Sequence, residues 1–301
     1  MLDPTTLFSW APDVDPQTVH ADTLVVTLGS YGDTGQTQRQ IDDQLREHLP
    51  TKLLGSFDAD QLIDYTAHRP SITFERDHFS HYSPPRIAVH QLTDPAGRSF
   101  ITLSGPEPAM QWERLAASVT QLVDQLEVRR TIFVQTMPTP APHTRPVFIS
   151  RFASDPSLLH EEPVMGTFTL PASFNGLLML RLGQANHDAI GLLAHIPHYI
   201  AETEFPPAAA AILTAIQDAT TLELPFDGLE SKSARTLASV DRQVADNDEL
   251  AGAIHTLEER YDQFVGRLPL LGHGAAIPDA DELGAQFEQF LASLEDNEGG
   301  Q

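Results

Sequence analysis

Short, uninterrupted apolar runs recur along most of the chain. Five of them, residues 22–29, 52–57, 99–104, 131–135 and 188–195, contain mainly Val, Ile, Leu and Phe at their apolar positions, without regular alternation. Such runs are typical of strands that are buried on both faces of a sheet. We therefore predict a sheet whose core strands are mostly parallel.

Amphipathic segments separate these runs. After the first run, Ile41, Leu45 and Leu49 recur at every fourth residue, which places them on one side of a helix. Further helices are predicted at residues 110–128, 173–183 and 206–220. Because strands alternate with helices, we predict an α/β fold: a mixed, largely parallel sheet sandwiched by helices.

A protruding hairpin is predicted near residues 71–92. Residues 71–75 and 86–92 have strand-like patterns, and the polar segment between them suits a long loop. The segment is more apolar than an isolated hairpin should be. We expect four of its side chains to contact another subunit: Phe74, Phe79, Tyr82 and Ile87.

The pattern changes after residue 226, where no further strand is indicated. Apolar residues at helical spacing predict one helix around Leu237 and Val244 and a second between Leu250 and Phe264. A linker with three glycines, residues 266–278, follows the second helix. A last amphipathic helix is predicted at residues 279–294.

These changes divide the chain into two predicted domains. Residues 1–226 form the α/β core with its hairpin insertion, and residues 227–301 form an all-helical C-terminal domain. The glycines of the linker would let a helix move, so the C-terminal helices could act as a lid over the core. The last residues, EDNEGGQ, are expected to be disordered.

Composition narrows the classes of function. The 301 residues include 42 acidic and 18 basic residues, for a net charge of −24. This charge repels phosphate backbones and anionic lipids, so we expect neither nucleic-acid nor membrane binding. The lack of cysteine excludes disulfides and thiolate chemistry. Without a signal-peptide pattern or an apolar run near the ~20 residues of a membrane span, a cytoplasmic location is expected.

Four loops immediately follow predicted core strands, at residues 30–35, 105–112, 138–145 and 195–199. In open α/β sheets, ligands bind beyond the carboxyl ends of the strands. If the strands are parallel, the four loops meet at one rim of the sheet. The candidates for binding a ligand or partner at this rim are Asp33, Glu107, Trp112, His143, Arg145, His195, His198 and Tyr199.

The most distinctive loop is Pro142-His143-Thr144-Arg145-Pro146. Its prolines favour an extended conformation for His143 and Arg145, which reduces the entropy cost of binding. Arg145 could fork onto a carboxylate or phosphate of a ligand. Alternatively, it forms an internal salt bridge with a carboxylate such as Glu107. The sequence leaves both roles open.

Structural roles are also open to other rim residues. Asp33 precedes a predicted helix and could cap it, and Glu107 near a helix start would interact favourably with the helix dipole. The 13 histidines form no HExxH pattern, and no G-x-S-x-G elbow is present. We therefore predict no metal site and no cofactor, and assign no catalytic residue.

Five stretches resemble the proteasome assembly chaperone-like family, specifically its bacterial branch related to proteasome assembly chaperone two. They occur in the family's order: GSYGDTGQT at 29–37, DADQLIDYTAHRP at 58–70, GPEPAMQW at 105–112, PHTRP at 142–146 and PHY at 197–199. The resemblance implies a core similar to purine nucleoside phosphorylases, without implying phosphorylase activity. It also implies self-association, with a homotrimer expected, and a possible protein client.

Two functions are therefore considered. The first is a non-enzymatic assembly or interaction protein, which we expect because the rim residues lack catalytic spacing. The alternative is a small-molecule-binding protein or hydrolase-like enzyme, whose site at the rim is covered by the C-terminal helices.

Overall fold

The computed structural model describes residues 2–29, 33–67, 69–159 and 166–271, with the backbone alone for residues 267–271. The strands are β1 Phe8–Trp10, β2 Thr23–Gly29, β3 Thr51–Phe57, β4 Ile72–Glu75, β5 His78–Tyr82, β6 Ile87–Thr93, β7 Ser99–Pro106, β8 Arg130–Thr139, β9 Ile149–Ala153 and β10 Asp188–Pro197. The α-helices are α1 Thr37–His48, α2 Trp112–Gln125, α3 Phe174–Gln184, α4 Pro206–Ala219, α5 Leu229–Ala245 and α6 Asp248–Leu271.

Eight of the described strands form one sheet, in the order β1-β3-β6-β7-β2-β8-β10-β9. The four central strands β7, β2, β8 and β10 run parallel to their neighbours within that group. On one side β6, β3 and β1 extend the sheet with antiparallel pairing, and β9 pairs antiparallel with β10 at the other edge. The predicted α/β fold with a mixed sheet is confirmed.

Helices cover both faces of the sheet. Alternation along β2 directs Leu24, Val26 and Leu28 to the cluster that contains α2 and α3, while Val25 joins the cluster with α1 and α4. The spaced residues Ile41 and Leu45 are fully buried in the second cluster. The sheet is therefore sandwiched between two helical layers.

The C-terminal helices pack against this core. Leu229 and Val240 of α5 are buried in the same cluster as α4, and α5 joins α6 through Asp246 and Asn247. α6 continues to Leu271, so the prediction of a linker is wrong for residues 266–271. The rest of that linker, the predicted helix at 279–294 and the tail lie outside the described residues.

The hairpin prediction is wrong in its pairing. β4 pairs with β5, which forms from part of the predicted loop, whereas β6 pairs with β3 and β7 in the main sheet. Ile87, at the start of β6, is fully buried, which corrects its assignment to a subunit contact. Phe74, Phe79 and Tyr82 do remain exposed on the β4–β5 hairpin.

The N-terminal residues contact the core through a strand and a buried arginine. β1 pairs with β3, and the buried Arg114 of α2 donates from Nε to the Asp3 carbonyl at 3.0 Å and from Nη2 to Thr6 Oγ1 at 2.7 Å. These bonds anchor the arm to the core. Among the described residues, no helix combines the length and apolar character needed to cross a bilayer.

Candidate functional site

The carboxyl ends of the parallel strands meet at one rim of the sheet. Gly29 of β2 pairs with Pro106 of β7, and Pro197 of β10 pairs with Thr139 of β8. The loops that follow these four strands therefore lie on the same side, as expected, with the first loop described from Asp33 onward. The eight candidate residues divide into two groups along this rim.

Asp33 caps α1. Its Oδ1 accepts a hydrogen bond from the Gln38 backbone N–H at 2.8 Å, and its Oδ2 accepts one from the Arg39 N–H at 3.2 Å. Burial raises the pKa of Asp33, although these N–H donors oppose the shift. The carboxylate thus satisfies donors that a helix N-terminus leaves unpaired.

Glu107 and Trp112 connect the β7–α2 loop to α3. Glu107 Oε1 accepts the Phe174 backbone N–H at 2.7 Å, where α3 begins, so its charge complements the helix dipole. Trp112 donates from Nε1 to the Pro108 carbonyl at 2.6 Å, and its ring meets Phe174 edge-on at 6.1 Å. Both side chains therefore make contacts that stabilise the fold.

His143 is held by Tyr199 and by α5. The His143 backbone N–H donates to Tyr199 Oη at 2.7 Å, and the same hydroxyl lies 2.7 Å from His143 Nδ1. His143 Nε2 lies within hydrogen-bonding distance of Asp241 Oδ1 on α5, at 3.1 Å. Burial raises the pKa of Tyr199 to about 12, so the hydroxyl keeps its proton.

Arg145 forms an internal ion pair with α6. Its Nε and Nη2 bind the two oxygens of Asp262 at 2.9 and 2.8 Å, and Nη1 binds Glu258 Oε1 at 3.1 Å. Thr144 donates to the same Glu258 oxygen at 2.5 Å, and Tyr261 donates to the Pro146 carbonyl at 2.7 Å. Hydrogen bonding to Arg145 lowers the pKa of Asp262.

Of the two roles left open for Arg145, the structure shows the internal salt bridge. The guanidinium of Arg145 binds carboxylates of its own chain, in the bidentate arrangement that suits arginine. The partners are Asp262 and Glu258, whereas the suggested partner Glu107 contacts α3 instead. The loop from Pro142 to Pro146 is therefore the main polar connection between the core and the α5–α6 pair.

The two remaining candidates lie on β10 and just beyond it. His195 Nε2 is hydrogen-bonded to Ser150 Oγ of β9, and its ring lies 5.2 Å from that of Phe148, which meets Phe264 of α6 at 5.1 Å. Burial lowers the pKa of His195 to about 4, so the ring is neutral near pH 7. His198 Nδ1 lies 3.3 Å from the Thr139 carbonyl.

The structure thus separates the candidates. Asp33, Glu107 and Trp112 serve helix starts beside β2 and β7, while the other five lie beside β8 and β10 near the C-terminal helices. Three residues at the site were not predicted as candidates from the sequence: Asp241, Glu258 and Asp262. A usable signal was present, because Glu258 and Asp262 are four residues apart and share one side of a predicted helix.

A groove adjoins the Pro142–Pro146 loop. It has a volume of about 800 Å³ and lies between this loop, α4 and α5. Its apolar lining includes Pro207, Ala210, Phe226, Leu229 and Leu237, and its polar lining includes His143, Arg145, Glu230 and Asp241. Among the described residues, no group of three or more His, Asp and Glu side chains is placed to hold a metal ion.

Fold and site together define an α/β protein whose strand-end rim is braced on one side by a pair of helices. The chain belongs to the PAC2 family, whose family model matches residues 28–244. This confirms the resemblance noted in the five sequence stretches. The search of curated proteins gives no match.

Three solved structures illustrate the similarity. A Mycobacterium tuberculosis protein of unknown function is 32% identical, with a TM-score of 0.82, and the match covers 90% of this chain and 94% of that one. A Corynebacterium glutamicum protein of unknown function is 28% identical, with a TM-score of 0.80 and coverage of 87% and 99%. A Mycobacterium tuberculosis proteasome-assembly chaperone homologue is 21% identical, with a TM-score of 0.72 and coverage of 77% and 99%.

Proposed function

We propose that this protein is a non-enzymatic assembly or interaction protein of the cytoplasm, which forms a homotrimer and binds a protein client. Membership of the PAC2 family supports this proposal. So does the fold shared with the Mycobacterium tuberculosis proteasome-assembly chaperone homologue.

The exposed apolar face of the β4–β5 hairpin is the observation that carries the proposal. Ile72 pairs with Tyr82 and Phe74 with Phe79, and these four side chains are 51% to 68% exposed. The Phe74 and Phe79 rings lie 5.1 Å apart. An isolated two-stranded hairpin is marginally stable in water, and a contiguous exposed apolar face is typical of a protein interface.

The internal contacts of the rim residues also support a non-enzymatic interaction protein. Tyr199 binds His143, while His143 and Arg145 bind carboxylates of the C-terminal helices. Asp33 and Glu107 bind helix N-termini. Each of these side chains therefore has a role in stabilising the fold. These contacts favour an interaction protein over the alternative of a rim enzyme.

The test of self-association replaces two aromatic residues. The double variant Phe74→Ser/Phe79→Ser should reduce the particle mass, measured by light scattering, from three chains to one. The matched control is Phe168→Ser/Leu170→Ser, since these residues are similarly exposed outside the hairpin, and it should keep the wild-type mass. An unchanged mass for the hairpin variant would overturn the proposed interface.

Client binding and ligand binding need separate experiments. Cross-linked affinity capture with wild-type protein should recover a defined second protein, and recovery of the bait alone under gentle conditions counts against a client.

A thermal-shift screen with nucleosides, phosphates and carboxylates tests the enzyme alternative. Stabilisation by one of them that is lost in Arg145→Ala would favour a rim enzyme.

A further inference from the structure

The groove beside the Pro142–Pro146 loop has the form of a docking site. Leu237 of α5, Phe226, and Pro207 and Ala210 of α4 give it apolar surface, and the buried Leu229 completes its lining. Phe226 is 37% exposed although it lies next to the core. The contact along α5 extends from Leu229 to Asp241, which corresponds to about 18 Å of helix. That length matches about three turns of a second helix lying alongside.

Hydrogen bonds and ion pairs hold the loop that forms the wall of the groove. Arg145 and Thr144 are fixed by Glu258 and Asp262 on one side of the loop, and His143 is fixed by Tyr199 and Asp241. The loop therefore does not need to be ordered when a partner binds. Such preorganisation reduces the entropy cost of association.

The charges along the groove are acidic. Glu230 and Asp241 both line it and are 11 residues apart, so they lie on the same side of α5 about three turns from each other. No ion pair joins Glu230 to another described residue. Asp241 remains 62% exposed beside His143. Arg145, the cation of the lining, is already neutralised by Asp262 and Glu258.

We propose that this groove binds an amphipathic helix of a partner protein, with an apolar face and two Lys or Arg residues about 11 positions apart. Apolar side chains of the partner would pack on Phe226 and Leu237, and its cations would pair with Glu230 and Asp241. This is the helix-in-groove mode of recognition. The inference rests on the proposed function, and it names the surface and the chemistry of the partner.

Charge complementarity selects this occupant over two others. Residues 272–301 of this chain contain seven acidic residues and neither Lys nor Arg, so an acidic groove repels them. A second copy of the chain carries the same net charge of −24. A basic partner helix is attracted by both the local carboxylates and the field of the whole protein.

The test uses a synthetic helical peptide of about 18 residues. It carries Leu and Ala on one face and two Lys residues 11 positions apart, and a matched peptide has Glu at those two positions. Fluorescence anisotropy should show binding of the Lys peptide to the full chain. Glu230→Lys should weaken this binding by about tenfold and improve binding of the Glu peptide.

Glu249→Lys is the matched control, because it makes the same charge change at an exposed site on the first turn of α6. It should leave the affinity within about twofold of wild type. Equal weakening by both variants would indicate general attraction to an acidic protein and overturn the inference. Lack of binding to the wild-type chain would overturn it as well.

The particle mass separates this inference from the proposed function. Glu230→Lys should keep the wild-type mass in light scattering, since Glu230 lies outside the hairpin. If the peptide fails to bind while Phe74→Ser/Phe79→Ser still reduces the mass, the groove inference alone fails. If the hairpin variant keeps the wild-type mass, the proposed hairpin interface fails whatever the peptide does.

Discussion

Arg145 binds both carboxylate oxygens of Asp262, at 2.9 Å from Nε and 2.8 Å from Nη2. The two residues are 117 positions apart in sequence. Their pairing holds the loop that follows β8 against α6, and Glu258 adds a second carboxylate to the same guanidinium. The position of the α5–α6 pair therefore depends on these polar contacts as well as on the burial of Leu229 and Val240.

Arg145→Ala should loosen α6 without unfolding the sheet. The variant removes the bonds to Asp262 and Glu258, so amide hydrogen exchange across Asp248–Leu271 should become several-fold faster, while β2 and β8 keep their protection. Arg181→Ala is the control, because Arg181 makes a similar two-point pair with Glu113 between α3 and α2. Unchanged exchange in α6 of Arg145→Ala would contradict the role of this pair.

Tyr199→Phe should destabilise the protein more than Tyr261→Phe. The first variant leaves the buried His143 N–H and Nδ1 without their partner, at a cost of about 1–3 kcal/mol in the free energy of unfolding. The second removes one hydrogen bond at the surface, to the Pro146 carbonyl, and should cost less than about 1 kcal/mol. Urea unfolding of the two variants measures the difference, and equal costs would contradict it.

Because His195 is buried in its neutral form, we expect the free energy of unfolding to decrease in mild acid. Its pKa is about 4 in the folded state against about 6.5 in the unfolded chain, so below pH ~6.5 the unfolded state binds a proton that the folded state does not. The free energy of unfolding should fall by up to about 3 kcal/mol between about pH 6.5 and pH 4.

A variant isolates this contribution from other titrating groups. His195→Gln lacks the titrating ring, so its unfolding free energy should decrease less steeply with falling pH than that of wild type. His90, whose pKa burial also lowers, contributes equally to both proteins and cancels in the difference. Parallel pH profiles from urea unfolding would show that His195 is not responsible.

Gly105→Ala should be much more damaging than Gly97→Ala. Gly105 has a φ of +140°, and a Cβ there would lie 2.2 Å from the Arg86 carbonyl oxygen, a backbone atom that cannot easily yield. We expect a loss of roughly 2–5 kcal/mol. Gly97 has a φ of +83° with no atom within 4 Å of its Cβ position, so its cost should stay near 1 kcal/mol. Equal melting temperatures would contradict this.

Local patterns predicted most of the elements correctly. Ile41 and Leu45 recur at helical spacing in the sequence and are fully buried on one side of α1. The runs that became β2, β8 and β10 are apolar on both faces because helices cover both sides of the sheet. Such patterns can be predicted because the spacing of apolar residues along a segment reflects which of its faces are buried.

Strand pairing and side-chain partners were harder to predict. The segment around His78–Tyr82 is polar enough to suit a loop, yet β4 pairs with it locally, which frees β6 to enter the main sheet. Ile87 was assigned to a surface for this reason, although it is buried. Pairing is decided by competition among distant strands, and short apolar runs do not identify their neighbours.

The sequence by itself indicated the family, the core strands with the helices that alternate with them, and the placement of the Pro142–Pro146 loop after a core strand. The family is indicated by the resemblance of five motif stretches, whereas the elements and the loop follow from residue spacing, proline positions and the periodic burial of apolar side chains. Only the tertiary structure decided that Arg145 binds Asp262 rather than Glu107, and that the other side of the same loop forms the wall of a groove. A guanidinium can pair with any carboxylate that comes within reach, and the packing of α6 against the core determines which one does.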